Sequence, residues 1–305
     1  MSSLLVLLGP TASGKTRLAA LVAHRMGGEI ISADSRQVYR GMTIGTGKDL
    51  DDYIVDGNRV PYHLIDIAEP TEEYSVFRFQ KDFLAAYNLI REKGHLPILC
   101  GGTGLYIESV LKPYRLIEVP ENETLRKELS GKSMEELTAM ISSMKTLHAT
   151  TEIRDKSRLI RAIEIEQYHM DNPETDFSFP QIDALIYGIH FPRELHRRRI
   201  TARLEMRLNT GMVEEVQQLL AQGIDSRKLM AFGLEYKYIT QYLLNELTRE
   251  QMFEQLNTAI HRFAKRQMTW FRRMERNGIN IHWLEGRLPA EENLKILLQI
   301  PDKSH

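Results

Sequence analysis

The sequence predicts an α/β fold: a parallel β-sheet flanked by helices and interrupted by a helical insertion. Three observations predict it. An apolar run, Leu4-Leu5-Val6-Leu7-Leu8, leads into a glycine-bearing turn and then into a stretch with Leu18, Ala19, Leu21, Val22 and Met26 near helical spacing. Strand-like and helix-like segments alternate from there to residue 112. The pattern is helical from Pro113 to about Phe179, and a strand-like run at Ala184–Ile189 then returns to the sheet pattern. The expected core therefore spans 1–112 and 183–305, with 113–182 as the insertion.

The first strand, residues 4–8, ends in Gly9-Pro10-Thr11-Ala12-Ser13-Gly14-Lys15-Thr16, a G-x-x-x-x-G-K-[ST] phosphate loop. Backbone N–H groups and the start of the following helix converge there on an anion. Lys15 adds a mobile positive charge, and Thr16 can offer its hydroxyl to Mg²⁺. The chain therefore binds a diphosphate or triphosphate in a P-loop NTPase-like core. The alternative is a chance glycine-rich turn, against which the strand–loop–helix setting weighs.

Glu29–Asp34 reads as the second strand, and His63–Ile67 as a third candidate. Phe77–Lys93 reads as a helix stopped by Gly94, and Pro97–Cys100 as a buried strand followed by Gly101-Gly102-Thr103-Gly104. Ligands of such sheets sit at the C-terminal strand ends, so the polar clusters at 9–16, 34–37 and 101–104 are expected to face one cleft. In the insertion, Glu121–Leu129, Ser133–Met144 and Arg154–His169 read as helices and Asp171–Pro180 as a loop. Residues 193–276 read as mostly helical.

Composition narrows the function class. The chain has 305 residues, room for one or two domains, and an ordinary apolar and charged content. Its single cysteine, Cys100, excludes an internal disulfide and suits a reducing cytoplasm. No apolar run is long enough to span a membrane, and nothing marks an oligomerisation surface, so a cytoplasmic monomer is expected. A net charge of −1 hides an asymmetry, because residues 193–276 hold 16 Lys/Arg against 10 Asp/Glu. A basic half points to nucleic acid or, equally, to solvated helix faces.

Several residues carry chemistry and leave more than one reading open. Asp34 follows Lys15 by 19 positions and can hold Mg²⁺ through water, cap a helix or act as a base. Ser35, Arg36 and Gln37 follow it; Arg36 and Gln37 can read a base edge or a phosphate. Thr103 can donate to a phosphate oxygen or cap the helix that starts near Leu105. Arg199, Arg203 and Arg207 form a stripe at helical spacing that can stabilise a departing pyrophosphate or face solvent beside Glu205. Arg262, Lys265, Arg266, Arg272, Arg273 and Arg276 recur on one side of a helix, with Phe263, Trp270 and Met274 on the core side, a track suited to a sugar–phosphate backbone. His63 reads as a core or cleft-wall residue.

Together these stretches resemble the tRNA dimethylallyltransferases (tRNA isopentenyltransferases) over nearly the whole chain. The phosphate loop is shared with many nucleotide enzymes. More specific are Asp34-Ser35-Arg36-Gln37-Val38-Tyr39-Arg40-Gly41-Met42, Ile44–Lys48, His63–Asp66, Gly101–Tyr106, Arg199-Ile200-x-x-Arg203 and Ala264-Lys265-Arg266-Gln267-x-Thr269-Trp270-Phe271-Arg272. The resemblance implies transfer of a dimethylallyl group from dimethylallyl diphosphate to N6 of the adenosine 3′ of the anticodon, in tRNAs that read codons starting with U. It implies that the phosphate loop holds the prenyl diphosphate where relatives of the fold hold ATP. It implies Asp34 as the base, with Lys15, Thr103, Arg203 and Mg²⁺ near Thr16 neutralising the pyrophosphate. The target base is expected beside Asp34–Gln37, and the anticodon stem-loop is expected to touch Arg126, Ser157, Arg158, Leu159, Ile160 and Arg161 of the insertion as well as Arg266, Arg272 and Arg273. The chain departs from the family pattern at Tyr62, Thr43, Leu234 and Arg207, which bears on substrate range rather than reaction type. Two other functions fit part of the sequence: a small-molecule kinase, and an RNA-binding scaffold without catalysis.

Overall fold

The computed structural model describes residues 3–112, 119–144, 155–172 and 179–299. In chain order these form β1 (Leu4–Leu8), α1 (Lys15–Met26), β2 (Gly28–Ala33), β3 (Ile54–Val55), β4 (Asn58–Arg59), β5 (Tyr62–His63), α2 (Val76–Glu92), β6 (Leu96–Gly101), α3 (Gly104–Leu111), α4 (Glu123–Ser130), α5 (Met134–Met144) and α6 (Lys156–Asp171). They continue with β7 (Ala184–His190), α7 (Arg193–Asn209), α8 (Met212–Ala221), α9 (Ser226–Ala231), α10 (Leu234–Leu243), α11 (Arg249–Arg276), β8 (His282–Glu285) and α12 (Ala290–Gln299). Contacts divide the chain into two compact units, Met1–Lys112 with Gln181–His305, and Pro113–Pro180. Among the described residues no helix is long and apolar enough to cross a membrane.

The first unit is built on a six-stranded sheet in the order β5-β2-β6-β1-β7-β8. Every pair in it is parallel. β1 and β2 are buried along their whole length, which explains their unbroken apolar runs. Because β2, β6 and β1 are neighbours, the turns that leave them lie side by side. Two backbone bonds tie these strand ends together: Gly9 N–H donates to Gly101 O at 3.4 Å, and Thr103 N–H donates to Ala33 O at 3.2 Å. The cleft expected from the three polar clusters thus exists at the C-terminal edge of the sheet.

The helices end where the sequence places stop signals. α1 starts after Gly14 (φ 78°) and closes at Gly27 (φ 64°), both left-handed. Ser75 caps α2 by accepting from Arg78 N–H, and Gly94 (φ 75°) follows its end. α11 opens with a capping box between Thr248 and Gln251. The strand expected at His63–Ile67 is cut to Tyr62–His63, because Leu64 (φ 62°) and Asp66 (φ 55°) turn left-handed and cannot continue a ladder. Residues 173–178 of the expected 171–180 loop lie outside the described residues, and Asp171 itself closes α6.

The second unit packs Leu129, Leu137, Ile141, Leu159 and Ile163 into a small core of its own. Leu159, expected on an RNA-facing surface, is fully buried there. Four residues on from Leu159, Ile163 continues the same apolar face of α6, so both turn inward.

His63 supports the sheet rather than the cleft. Glu29, near the opposite end of β2 from Asp34, is 2% exposed. It accepts from His63 Nε2 and His95 Nδ1, both at 2.7 Å, and from Lys93 Nζ at 3.1 Å. Burial alone would raise the Glu29 pKa; the bonds from His63, His95 and Lys93 outweigh it and hold the carboxyl at about 2. A depressed carboxyl stabilises the fold above its unfolded pKa near 4.5 and loses that contribution as pH falls toward 2. At 1.36 kcal/mol per pKa unit, the contribution is roughly 3 kcal/mol. Urea titrations between pH 7 and pH 3 should therefore show a steeper acid-side loss for the native chain than for Glu29→Gln. Parallel curves would remove Glu29 from the acid response.

Candidate active site

The phosphate loop runs from the buried end of β1 into the first turn of α1. Ala12 (φ 60°) and Gly14 both take left-handed conformations, which fold the backbone into a cradle. Ser13 is 4% exposed, and among the described residues its hydroxyl has no hydrogen-bond partner. Lys15 Nζ reaches back to Pro10 O at 3.4 Å. Burial lowers the Lys15 pKa, and the nearby Asp34 carboxylate offsets only part of that lowering. Cys100, buried under the loop, is pushed up to about 12 by desolvation and is an inert thiol.

α7 clamps this loop along one face. His196 Nε2–H donates to Thr11 O at 2.8 Å, Arg199 Nε–H to Ala12 O at 3.1 Å, and Arg203 Nη1–H to Thr11 Oγ1 at 3.2 Å. Of the arginine stripe, Arg199 and Arg203 therefore reach the phosphate loop, Arg199 with part of its side chain still exposed, while Arg207 is buried farther along α7. Burial, the largest influence on His196, lowers its pKa and favours the neutral imidazole.

Asp34 leaves the end of β2, and its Oδ1 accepts from Arg36 N–H at 2.9 Å. Thr103 Oγ1 accepts from Ser35 N–H at 3.1 Å and makes no cap bond to α3. The capping alternative for Thr103 is thereby excluded; its hydroxyl joins the Gly101–Gly104 turn to the Asp34 turn. Gln37 Oε1 accepts from Ser32 Oγ at 2.9 Å, while its Nε2 donates to Gly47 O at 3.0 Å. Arg36 pairs with Glu235 at 3.3 Å and lies 5.0 Å over the Phe263 ring.

Gly102 and Gly104 admit the protein's own helix α11. A Cβ on Gly102 would meet Gln267 Nε2 at 2.4 Å, and one on Gly104 would meet Trp270 Cδ1 at 2.3 Å. Through that gap Gln267 accepts from Thr11 N–H and donates to Gly102 O, each at 2.9 Å. One buried amide thus bolts the phosphate loop to the neighbouring turn.

α11 divides its cations among separate surroundings rather than presenting one track. Arg262, Lys265 and Arg272 line a cavity of about 800 Å³ beside Pro10, with Phe191, Met268 and Trp283 also in its wall. Arg266 stands 5.9 Å from the Phe263 ring, so Phe263 sits under arginines and not in the core. Arg273 is ion-paired with the buried Glu108 at 2.6 Å and stacks 4.0 Å over Trp270. In the second unit, Arg126 and Arg161 both bind the buried Glu164, and Ser157 Oγ donates to Asp155 at 2.7 Å. Of the insertion residues expected to meet RNA, Ser157 and Arg158 are exposed. Ile160 packs partly against the core of that unit.

Residues 37–274 match the family model described as IPP transferase, and residues 2–67 match that of isopentenyl transferase. The chain belongs to the IPP transferase family. A relative from Bacteroides fragilis, tRNA dimethylallyltransferase 2, is 58% identical over 296 residues, covering 97% of this chain and 97% of its own. Among solved structures, the full-length tRNA isopentenylpyrophosphate transferase of Bacillus halodurans is 32% identical, with a TM-score of 0.70, covering 97% of this chain and 94% of that one. A eukaryotic dimethylallyltransferase acting on tRNA shares the fold at a TM-score of 0.76 and 22% identity, covering 99% of this chain and 81% of that one. For an IPP transferase, one residue without an expected role is prominent in the site, Gln267, which joins Thr11 to Gly102. Gln267 carries a signal in the sequence: it is the one polar member of the buried stripe Met252, Leu256, Ile260, Ala264, Gln267, Phe271 and Met274.

Proposed function

We propose that this IPP transferase moves the dimethylallyl group of dimethylallyl diphosphate onto N6 of the adenosine 3′ of the anticodon, in tRNAs that read codons starting with U. The observation that carries the reading is the meeting of a phosphate loop, a carboxylate and a basic helix at one sheet edge. The N6–C1 bond forms as the C1–O bond breaks, the electron pair leaves on pyrophosphate, and the N6 proton passes to Asp34. An adenine amino group is a poor nucleophile, so a base at that proton is needed. Lys15, Arg203 and the loop amides stabilise the charge that develops on the leaving oxygen. Thr103, bonded to Ser35, keeps the Asp34 turn beside the diphosphate. The apolar and cationic walls of the cavity beside Pro10 suit a short hydrocarbon joined to a polyanion.

Magnesium fits this site. Among the described residues no group of three or more His, Cys, Asp or Glu side chains could hold a metal alone. A hydroxyl such as that of Thr16, together with substrate phosphate oxygens, is the hard oxygen set that magnesium takes. When bound, the ion supplies charge neutralisation for the pyrophosphate. For tRNA, the exposed Arg262, Lys265, Arg266, Arg272 and Arg276, with Ser157 and Arg158, offer contacts, whereas Arg126, Arg161 and Arg273 already hold buried carboxylates. The chain acts as a cytoplasmic monomer in this reading. A small-molecule kinase explains the phosphate loop but not the family match over residues 37–274.

The test incubates the purified chain with magnesium, labelled dimethylallyl diphosphate and unmodified tRNA, and maps the label by nuclease digestion. Label on the adenosine 3′ of the anticodon is expected. ATP-dependent phosphorylation of a metabolite with no label on tRNA would overturn the reading.

A further inference from the structure

Arg203 needs a partner to aim it, and the structure shows one that the sequence motifs do not name. Asp49 lies in the loop between β2 and β3 and begins the short turn at Leu50–Tyr53. Its carboxylate makes no cap bond there. It turns instead to α7, binding Arg203 Nη2 through Oδ2 and Arg207 Nη2 through Oδ1 at 3.1 Å. With Nη2 held in this way, Nη1 of Arg203 is left on Thr11 Oγ1 of the phosphate loop. We propose that Asp49, held by Arg207, is a positioning residue that orients Arg203 toward the pyrophosphate. This inference rests on the diphosphate reading of the loop given above.

Three features argue that the arrangement is built. Arg207 is 7% exposed, so its charge is compensated where water does little. Arg203 and Arg207 lie one helical turn apart and repel each other, and the carboxylate between them offsets that repulsion. Gly47 (φ 72°) leaves the room: a Cβ there would stand 2.3 Å from Arg207 Nη2 and 3.0 Å from Arg203 Nη2. Asp49 is itself fixed by its loop. Thr43, Ile44 and Gly45 N–H groups all donate to Glu215, at 2.9, 2.7 and 3.0 Å. Lys48 is buried against Asp66. Arg207, a departure from the family pattern, thus acquires a role as the counter-charge that holds the carboxylate in register.

The test is a double-mutant cycle read by calorimetric binding of inorganic pyrophosphate to the full chain, with tRNA affinity measured alongside. Asp49→Asn should weaken pyrophosphate binding about tenfold and leave tRNA affinity within about twofold. In an Arg203→Ala background, Asp49→Asn should have no further effect on pyrophosphate, because the group it aims is gone. Equal, additive losses in both backgrounds would overturn the proposal, as would unchanged pyrophosphate binding in the Asp49→Asn chain. If Asp49→Asn fails to fold, Arg207→Met takes its place in the same cycle, with the same expectation and the same overturning result. A native chain that binds pyrophosphate but labels no tRNA would instead count against the prenyl-transfer reading, so the two failures are distinct.

Discussion

Replacing Asp34 with alanine is expected to slow prenyl transfer by a factor of about 10²–10⁴, while tRNA affinity stays within about twofold. The carboxylate is the one acidic group in the Asp34–Gln37 turn, and it stands close enough to Lys15 to offset part of the lowering that burial imposes on that lysine's pKa. Two roles can be separated, because Oδ1 also accepts the Arg36 N–H. Asp34→Asn keeps an acceptor for that bond but cannot take a proton. If Asp34 is the base, both variants lose transfer to a similar extent in single-turnover measurements. If it only shapes the turn, Asp34→Asn retains most activity. Full activity in either variant would reassign the proton to another group.

The second large effect belongs to Gln267. Gln267→Met keeps the volume and removes both bonds of the bridge, leaving Gly102 C=O unpaired in a buried place and Thr11 N–H unpaired in a half-buried one. Each unsatisfied group costs about 1–3 kcal/mol. At about 2–4 °C per kcal/mol, the melting temperature should fall by several degrees, read by calorimetry. Transfer should fall more than the stability loss explains, by about 10–100-fold below melting, because the loop and its neighbouring turn lose their common anchor. A variant that melts lower yet transfers normally would make the bridge a matter of stability alone.

Parts of the site were legible in the sequence because their signals are local. The strand, loop and helix at residues 4–26 declare themselves through an apolar run, two glycines and helical spacing, and the structure places each where expected. The arginine stripe of α7 was legible as a stripe. Its partner was not, since Thr11 and Ala12 lie nearly two hundred positions away. The glycines at 101–104 announced a close approach but not what approaches: Ala33 of β2 fills the space at Gly101, and Gln267 and Trp270 fill it at Gly102 and Gly104. The short third strand failed for a different reason. Leu64 and Asp66 adopt left-handed backbone without glycine, which composition does not flag. Arg126 and Arg273 looked free because the carboxylates they hold, Glu164 and Glu108, come from other helices, whereas Arg161 holds Glu164 from one turn along its own helix.

The Gln267 bridge also sets an order on biosynthesis. Thr11 and its partner are separated by 256 positions, and Gly102 and Gln267 by 165. A ribosome adding about 5–20 residues per second exposes the phosphate loop some 10–50 s before the helix that anchors it. Throughout that interval the nascent sheet can pair its early strands, yet the loop amide has no Gln267 to receive it. The catalytic edge is therefore completed late in translation, and a chain released before α11 would carry the most recognisable motif in the molecule without its anchor.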